Sequence, residues 1–134
     1  MTQIVYRVNP PVNNAAMNAL FATAWVQHRD RDFEKQLRHS LAYVCAFEGE
    51  QIAGFVNLAW DGGIHAFLLD TTVHAGWQRR GIGRQLVLRG IAASHERGIV
   101  WVHVDYEPHL ESFYRACGFQ PTHAGVINVT ASVT

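Results

Sequence analysis

The stretch LDTTVHAGWQRRGIGR, residues 69–84, decides the fold of this chain. It begins with the β-branched residues of a strand and passes through a glycine-rich turn. Beyond the turn, apolar or small residues recur every three to four positions, at Ile82, Leu86, Gly90 and Ala93. This spacing predicts a helix that ends at Gly98, a residue type common directly after a helix C-terminus.

The turn combines features that bind phosphate. A helix N-terminus leaves backbone N–H groups unpaired and carries about half a positive charge. Gly81 and Gly83 let a ligand approach that backbone closely. Three arginines flank the glycines: Arg79, Arg80 and Arg84. Residues 76–100 hold five arginines and one glutamate, a local net charge of +4, whereas the whole chain has 11 basic and 11 acidic residues. The pattern predicts a specific anionic ligand.

Two common nucleotide-binding motifs do not fit the turn. Gly76 and Gly81 have the spacing of a P-loop, but Ile82 and Gly83 follow where that motif needs Lys and Ser/Thr. Leu86 stands where the dinucleotide fingerprint needs its third glycine. The turn is therefore neither a nucleoside-triphosphate loop nor a dinucleotide site.

The rest of the chain alternates strand and helix patterns. After a first strand we expect helices over residues 13–28 and 29–39, and strands over 41–47, 51–60 and 64–72. After the helix that follows the turn, we expect a strand over 99–105, a helix from Pro108 to Gly118 and a last strand over 126–133. This order predicts a single α/β domain over residues 1–134, with a mixed, mostly antiparallel sheet flanked by helices on both faces.

Composition excludes several classes of protein. Hydrophobic residues make up 49% and charged residues 16%, which suits a folded domain and argues against disorder. No apolar run approaches the roughly 18 residues of a transmembrane helix, and the opening MTQIVYRVNPPV lacks the pattern of a secretory signal. We therefore expect a cytoplasmic protein that binds no membrane. Balanced charge, with the arginines confined to one segment, argues against a nucleic-acid partner.

Cysteine and histidine spacing predicts no metal site. Cys45 and Cys117 lie in apolar patterns without a C-x-x-C partner, so we expect buried free thiols. The strongest alternative is an iron site at His103, Asp105 and His109, because residues 103 and 105 share a strand face. The third ligand lies only four residues further along the chain, and no other feature supports iron.

Two motifs carry a resemblance to a known family. Residues 78–83, QRRGIG, resemble the Arg/Gln-x-x-Gly-x-Gly/Ala motif of the GNAT superfamily of acyl-CoA-dependent N-acyltransferases. Residues 113–119, FYRACGF, are similar to the Phe-Tyr-x-x-x-Gly-Phe of the same family. The motif-bearing match covers about residues 64–121, and the order of elements extends it over nearly the whole chain. The resemblance implies a GNAT-like acyl-CoA N-acyltransferase fold.

The resemblance also implies where acetyl-CoA binds. It assigns the backbone near the end of the strand to the pantetheine arm and the thioester carbonyl, and the turn to the pyrophosphate. The cofactor-binding residues implied in this way are Val73, Gln78, Arg79, Arg80, Gly81, Ile82, Gly83 and Arg84.

Tyr114 is the general acid that the resemblance implies. A phenol has a pKa of about 10, so it is protonated at neutral pH and can protonate a departing thiolate. The alternative for Tyr114 is core packing, in a helical stripe with Leu110, Phe113 and Cys117.

The general base is less defined. Asp70 and Glu107 are the carboxylates that we select, and Asp105, a histidine (His65, His74, His103 or His109) or a water relay stays open. Glu107 stands where many family members have an asparagine that contacts pantetheine. A carboxylate is a poor replacement for that contact, so Glu107 is a candidate for amine recognition or proton abstraction.

The function implied is transfer of an acetyl group from acetyl-CoA to a primary amine, by direct attack in a ternary complex. The alternative is a non-catalytic acyl-CoA-binding sensor or regulatory module. The acceptor class stays open between polyamines, amino acids, aminoglycosides, peptide N-termini and protein lysines. The family also allows a homodimer.

Overall fold

We analysed a computed structural model that describes residues 3–130 of the chain. Residues up to Val104 form one compact unit, and residues from Asp105 onward form a second. Within the described range, no helix is long and apolar enough to cross a bilayer.

The first unit is built around one mixed sheet. Its strands are β1 (Ile4–Val8), β2 (Ala42–Glu48), β3 (Gln51–Trp60), β4 (His65–Val73) and β5 (Trp101–His103). Its helices are α1 (Asn14–Ala24), α2 (Phe33–Leu37) and α3 (Ile82–Glu96). The strands lie in the order β1-β2-β3-β4-β5. The first three pairings are antiparallel, and β4 pairs with β5 in parallel. The predicted mixed, mostly antiparallel sheet is confirmed.

Helices cover both faces of this sheet because successive strand residues point to opposite sides. Phe55 on β3 belongs to a buried cluster with Met17 and Leu20 of α1 and Phe33 of α2. The preceding residue, Gly54, faces α3 instead. A helix–sheet–helix sandwich follows, with α1 and α2 on one side and α3 on the other.

A bulge interrupts β4 beside its pairing with β3. The register shifts between Phe55, which pairs with Thr72, and Asn57, which pairs with Leu69. Asp70 takes up the extra residue with a φ of 59°, the left-handed region that non-glycine residues rarely adopt. The bulge separates the first half of β4 from the half that leads into the glycine turn.

The sequence located α1 correctly at its start but not at its end. Asn13 caps the helix, and its side chain accepts a hydrogen bond from the Ala16 backbone N–H at 2.8 Å. The helix ends at Ala24, not at residue 28 as predicted, because Trp25 has extended backbone angles. His28 lies beyond the end of the helix, but its ring still packs on Phe21, with 5.5 Å between the ring centroids. This contact explains why His28 fits the apolar period of the sequence although it is not helical.

The second predicted helix is shorter than expected. It covers only Phe33–Leu37 of the predicted 29–39. Asp32 caps its N-terminus and accepts a hydrogen bond from the Lys35 backbone N–H at 3.0 Å. This hydrogen bond lowers the pKa of the Asp32 carboxyl below its ordinary value.

The second unit contains a short 3-10 turn, Pro108–Leu110, followed by α4 (Glu111–Ala116). Gly118 has a φ of 105°, as expected for a glycine just past a helix. The strand predicted over residues 126–133 is wrong for its described part, since 126–130 contain no strand. Residues 131–133 lie outside the described range. β-branched residues favour a strand only when a neighbouring strand pairs with them, and residues 126–130 have no such partner within the described range.

The two cysteines are free and buried, as predicted. Burial raises the pKa of the Cys45 thiol to about 12. A thiol that stays protonated at neutral pH is a poor nucleophile, so Cys45 serves the core rather than chemistry.

α3 packs closely on the sheet at Gly54, so we predict that Gly54→Ala destabilises the fold. A Cβ there would lie 2.8 Å from Leu86 Cδ1, 3.2 Å from Ile82 Cγ2 and 3.2 Å from the Thr72 carbonyl oxygen. Overpacking of this kind costs about 1–3 kcal/mol of unfolding free energy, measurable by urea denaturation. Gly125→Ala is the control, because no atom lies within 4 Å of its added Cβ. Equal stability of the two variants would contradict the prediction.

Candidate active site

The glycine turn is held to the end of β4 by its own side chains. After β4 the chain makes a 3-10 turn, Ala75–Trp77, in which His74 Nδ1 accepts a hydrogen bond from the Gly76 N–H at 2.9 Å. The Gln78 side-chain amide donates to the Val73 carbonyl at 3.2 Å. These contacts give the segment between strand and helix a defined path.

The N-terminus of α3 is open. Gly81 is its N-cap, with a φ of 77°, and no side chain caps the helix. Apart from Gly81 and its immediate neighbours along the chain, no described atom lies within 4 Å of the position that a Cβ of Gly81 would take. The first turn contains no acidic residue, and its amides lack partners inside the helix. Three exposed arginines lie in this segment: Arg79, Arg80 and Arg84.

Electrostatics and sterics at this N-terminus suit an anion. The helix dipole places partial positive charge at the unpaired amides of Ile82, Gly83 and Arg84. Ile82 itself is buried and fixes the first turn against the sheet. The result is a set of unpaired donors close in sequence to three cationic side chains, an arrangement that suits a phosphate or pyrophosphate group.

β4 has a long edge that β5 does not pair. The parallel pairing covers only His65–Phe67 of β4 against Trp101–His103 of β5. Past that point, among the described residues, β5 makes no ladder contact with the half of β4 that contains the bulge. There the Thr71 hydroxyl oxygen is buried without a hydrogen-bond partner in the described part of the chain. An extended ligand with amide groups can use such an edge.

Asp70 lies on the bulge, and its carboxylate is paired. Arg31 Nη2 lies 3.3 Å from Asp70 Oδ2, and both side chains are about one-third exposed, at 38% and 31%. The Trp25 indole N–H donates to Thr72 Oγ1 at 3.0 Å, and that hydroxyl donates to the Asp70 carbonyl at 2.9 Å. The candidate base is thus tied to the end of α1 and to the α1–α2 connection.

Glu107 and Tyr114 belong to the second unit and differ in exposure. The Glu107 carboxylate is exposed and lies 3.5 Å from His109 Nδ1. Tyr114 is buried, and its ring stacks on Tyr106 at 5.0 Å and meets Phe113 and Phe119 edge-on. Tyr114 is therefore packed like a core residue. Core packing is the alternative role that the sequence also allowed for Tyr114.

The structure adds residues that sequence patterns did not single out. Arg31 and Trp25 contact the bulge, and Thr23 Oγ1 accepts a hydrogen bond from the Ala75 N–H at 3.1 Å. These contacts join parts of the chain that are distant in sequence, so no local period or motif reveals them. His103 is hydrogen-bonded to His65, with 2.8 Å between Nε2 and Nδ1.

Comparison with known proteins agrees with this geometry. Residues 12–119 match the model of the Acetyltransferase (GNAT) family. The chain is 28% identical over 120 residues to serotonin N-acetyltransferase 2, chloroplastic, from Oryza sativa subsp. japonica, covering 86% of this chain and 60% of that protein. It spans less than two thirds of the length of the curated relatives it matches.

Solved structures share the fold over nearly their whole length. A GNAT-family acetyltransferase from Streptococcus pneumoniae superimposes with a TM-score of 0.74 and 26% identity, covering 95% of this chain and 99% of that one. An aminoglycoside N-acetyltransferase in complex with CoA has a TM-score of 0.76 at 17% identity, covering 98% and 97%. The strand order, the glycine turn and the family match agree: this chain belongs to the GNAT family of acetyltransferases.

Proposed function

We propose that this chain transfers the acetyl group of acetyl-CoA to a primary amine, by direct attack of the amine in a ternary complex. The observation that carries the proposal is the open N-terminus of α3 at Gly81, reached directly from a bulged strand with an unpaired edge. Family membership supports acetyl transfer in general. The CoA bound to the aminoglycoside enzyme of similar fold supports the choice of donor.

The residues of the turn fit the donor. Acetyl-CoA supplies an activated acetyl group on a thioester, and it carries a pyrophosphate. The open helix N-terminus and its arginines suit the pyrophosphate, and the part of the β4 edge that β5 leaves unpaired suits a polar, extended arm. The proposed binding residues are Val73, Gln78, Arg79, Arg80, Gly81, Ile82, Gly83 and Arg84.

A backbone N–H of β4 near Val73 would stabilise the charge that develops on the carbonyl oxygen during attack. A well-aimed donor of this kind is worth roughly 2.7–4 kcal/mol of barrier. The amine must lose a proton, and Asp70 and Glu107 are the carboxylates proposed to accept it. Asp70 would have to share its carboxylate with Arg31, whereas Glu107 is exposed beside His109.

Tyr114 is proposed as the acid that protonates the leaving thiolate. Its phenol ring is buried in an aromatic cluster of the second unit. The same packing is the specific observation that favours the alternative function, an acyl-CoA-binding module without catalysis. Such a module needs the glycine turn but not the Tyr114 hydroxyl.

The acceptor we propose is a small-molecule or peptide amine. Relatives and structural neighbours are named for serotonin, aminoglycoside and glucosamine-6-phosphate acetylation, so the fold accepts amines of very different shape. The acidic side chains of Asp70 and Glu107 favour an acceptor that is cationic before it loses its proton.

Acetyl-CoA should stabilise the protein against heat, because a ligand that binds only the native state shifts the unfolding equilibrium. At about 100 times its Kd, a ligand adds roughly 2.7 kcal/mol, which raises the Tm of a chain of this size by about 10 °C. Free CoA should give a comparable shift in the same thermal-shift titration, and ATP and NAD should give none. No shift with either CoA species would overturn the proposed donor.

Removing two of the arginines should weaken CoA binding specifically. Arg80→Gln combined with Arg84→Gln deletes two charged donors beside the open helix end, so the Kd for CoA should rise about tenfold to a hundredfold. The dependence of the Kd on salt should also become smaller. Arg7→Gln on β1 removes an exposed arginine elsewhere and should leave the Kd unchanged. Isothermal titration calorimetry measures all three proteins.

The Tyr114→Phe variant distinguishes the two proposed functions, an acetyltransferase and a non-catalytic acyl-CoA-binding module. Loss of a positioned general acid lowers kcat by about a hundredfold or more, whereas the affinity for CoA should not change. Tyr106→Phe is the matched control, because it removes a hydroxyl from the ring stacked on Tyr114. Steady-state acetylation of a responsive amine gives kcat for each. If Tyr114→Phe turned over as fast as the wild type, Tyr114 would have no part in proton transfer.

A further inference from the structure

The guanidinium group of Arg31 lies in a niche made of two buried rings and one carboxylate. Its central carbon lies 4.8 Å from the centroid of Phe21 and 4.3 Å from that of Phe33. Both rings are almost completely buried. On the same group, Nη2 lies 3.3 Å from Asp70 Oδ2. We call Phe21, Phe33 and Asp70 the cation niche.

The chemistry of this niche selects an organic cation. The negative faces of aromatic rings attract a cation within about 6 Å of the ring centroid. A planar guanidinium can stack on rings and donate a hydrogen bond to a carboxylate with the same group. A sodium ion keeps its water shell and has no plane to stack on the rings, so it is a poor match for this combination of contacts.

One member of the cation niche, Asp70, also has the most unusual backbone angle in β4. Asp70 has a φ of 59°, a left-handed angle that few non-glycine residues adopt, although aspartate is among those that tolerate it best. Arg31 holds the Asp70 side chain, while Trp25 and Thr72 hold its carbonyl through two hydrogen bonds. The bulge is therefore fixed at both its side chain and its main chain.

We propose that Phe21, Phe33 and Asp70 form an organic-cation site that the chain fills with its own Arg31, and that filling this site fixes the bulge of β4 for acetyl transfer. Arg31 is a positioning residue, acting through Asp70 and the backbone of β4. The second half of the proposal rests on the proposed function; the cation site itself does not.

The cation site is tested on the Arg31→Ala variant without any measurement of activity. Guanidinium chloride at millimolar concentration, far below the denaturing range, should shift the backbone amide resonance of Asp70 and the indole resonance of Trp25 saturably. It should also return the backbone coupling constant of Asp70, which reports φ, to the wild-type value. Sodium chloride at equal ionic strength should do neither, and the wild type should not respond because Arg31 already fills the niche.

The positioning role is tested by kinetics on the same protein. Displacing the β4 backbone should lower kcat by about tenfold to a hundredfold, the usual cost of a small misplacement at a reacting centre. The Kd for free CoA should stay unchanged, since the open end of α3 binds the pyrophosphate. Guanidinium should restore kcat over the same concentration range that shifts the Asp70 resonance. Arg29→Ala, which removes another arginine from the α1–α2 connection, should behave as the wild type.

Absence of a saturable, guanidinium-specific shift in Arg31→Ala overturns the cation site, whatever the activity. A shift without a change or rescue of kcat overturns the positioning role. If Arg31→Ala does not fold, Arg31→Lys keeps the charge but not the stacking plane, and it should show the same loss of kcat and an altered Asp70 coupling constant. Wild-type protein without turnover on any amine would refute the proposed function, and the resonance titration would still decide the cation site.

Discussion

The close approach of α3 to the sheet is the contact on which the rest of the structure depends. Gly54 on β3 and Gly90 on α3 leave room for it, since a Cβ at either position would lie 2.8 Å from a leucine methyl group. Because α3 packs this tightly, its N-terminus is fixed where β4 ends, and its C-terminus returns the chain to β5. The parallel β4–β5 pairing follows from this one crossover.

The bulge of β4 and the open N-terminus of α3 lie close together along one short segment of the chain. Uncapped amides lie at the start of α3. A few residues earlier, the left-handed Asp70 turns the backbone of β4 at the strand's unpaired edge. Both features are made of main-chain atoms.

Local sequence patterns predicted the positions of helices that short-range interactions determine. The period of Ile82, Leu86 and Gly90 located α3, and the predicted helix over residues 13–28 began within one residue of the start of α1. Sequence could not locate the end of α1, because His28 reaches the same apolar surface from a loop. Nor could it find the pairing of Arg31 with Asp70, which are 39 residues apart and bring no shared period or motif. The glycine turn was visible in sequence, whereas the contacts that hold the bulge were not.

The backbone angle of Asp70 has a consequence for how this protein can change. Among the natural amino acids, glycine, asparagine and aspartate tolerate a left-handed φ best, because their side chains clash least or bond locally. Glutamate would supply the same charge on a longer arm, yet its backbone resists that angle. The backbone angle therefore limits position 70 to these few residue types, whatever charge the side chain carries.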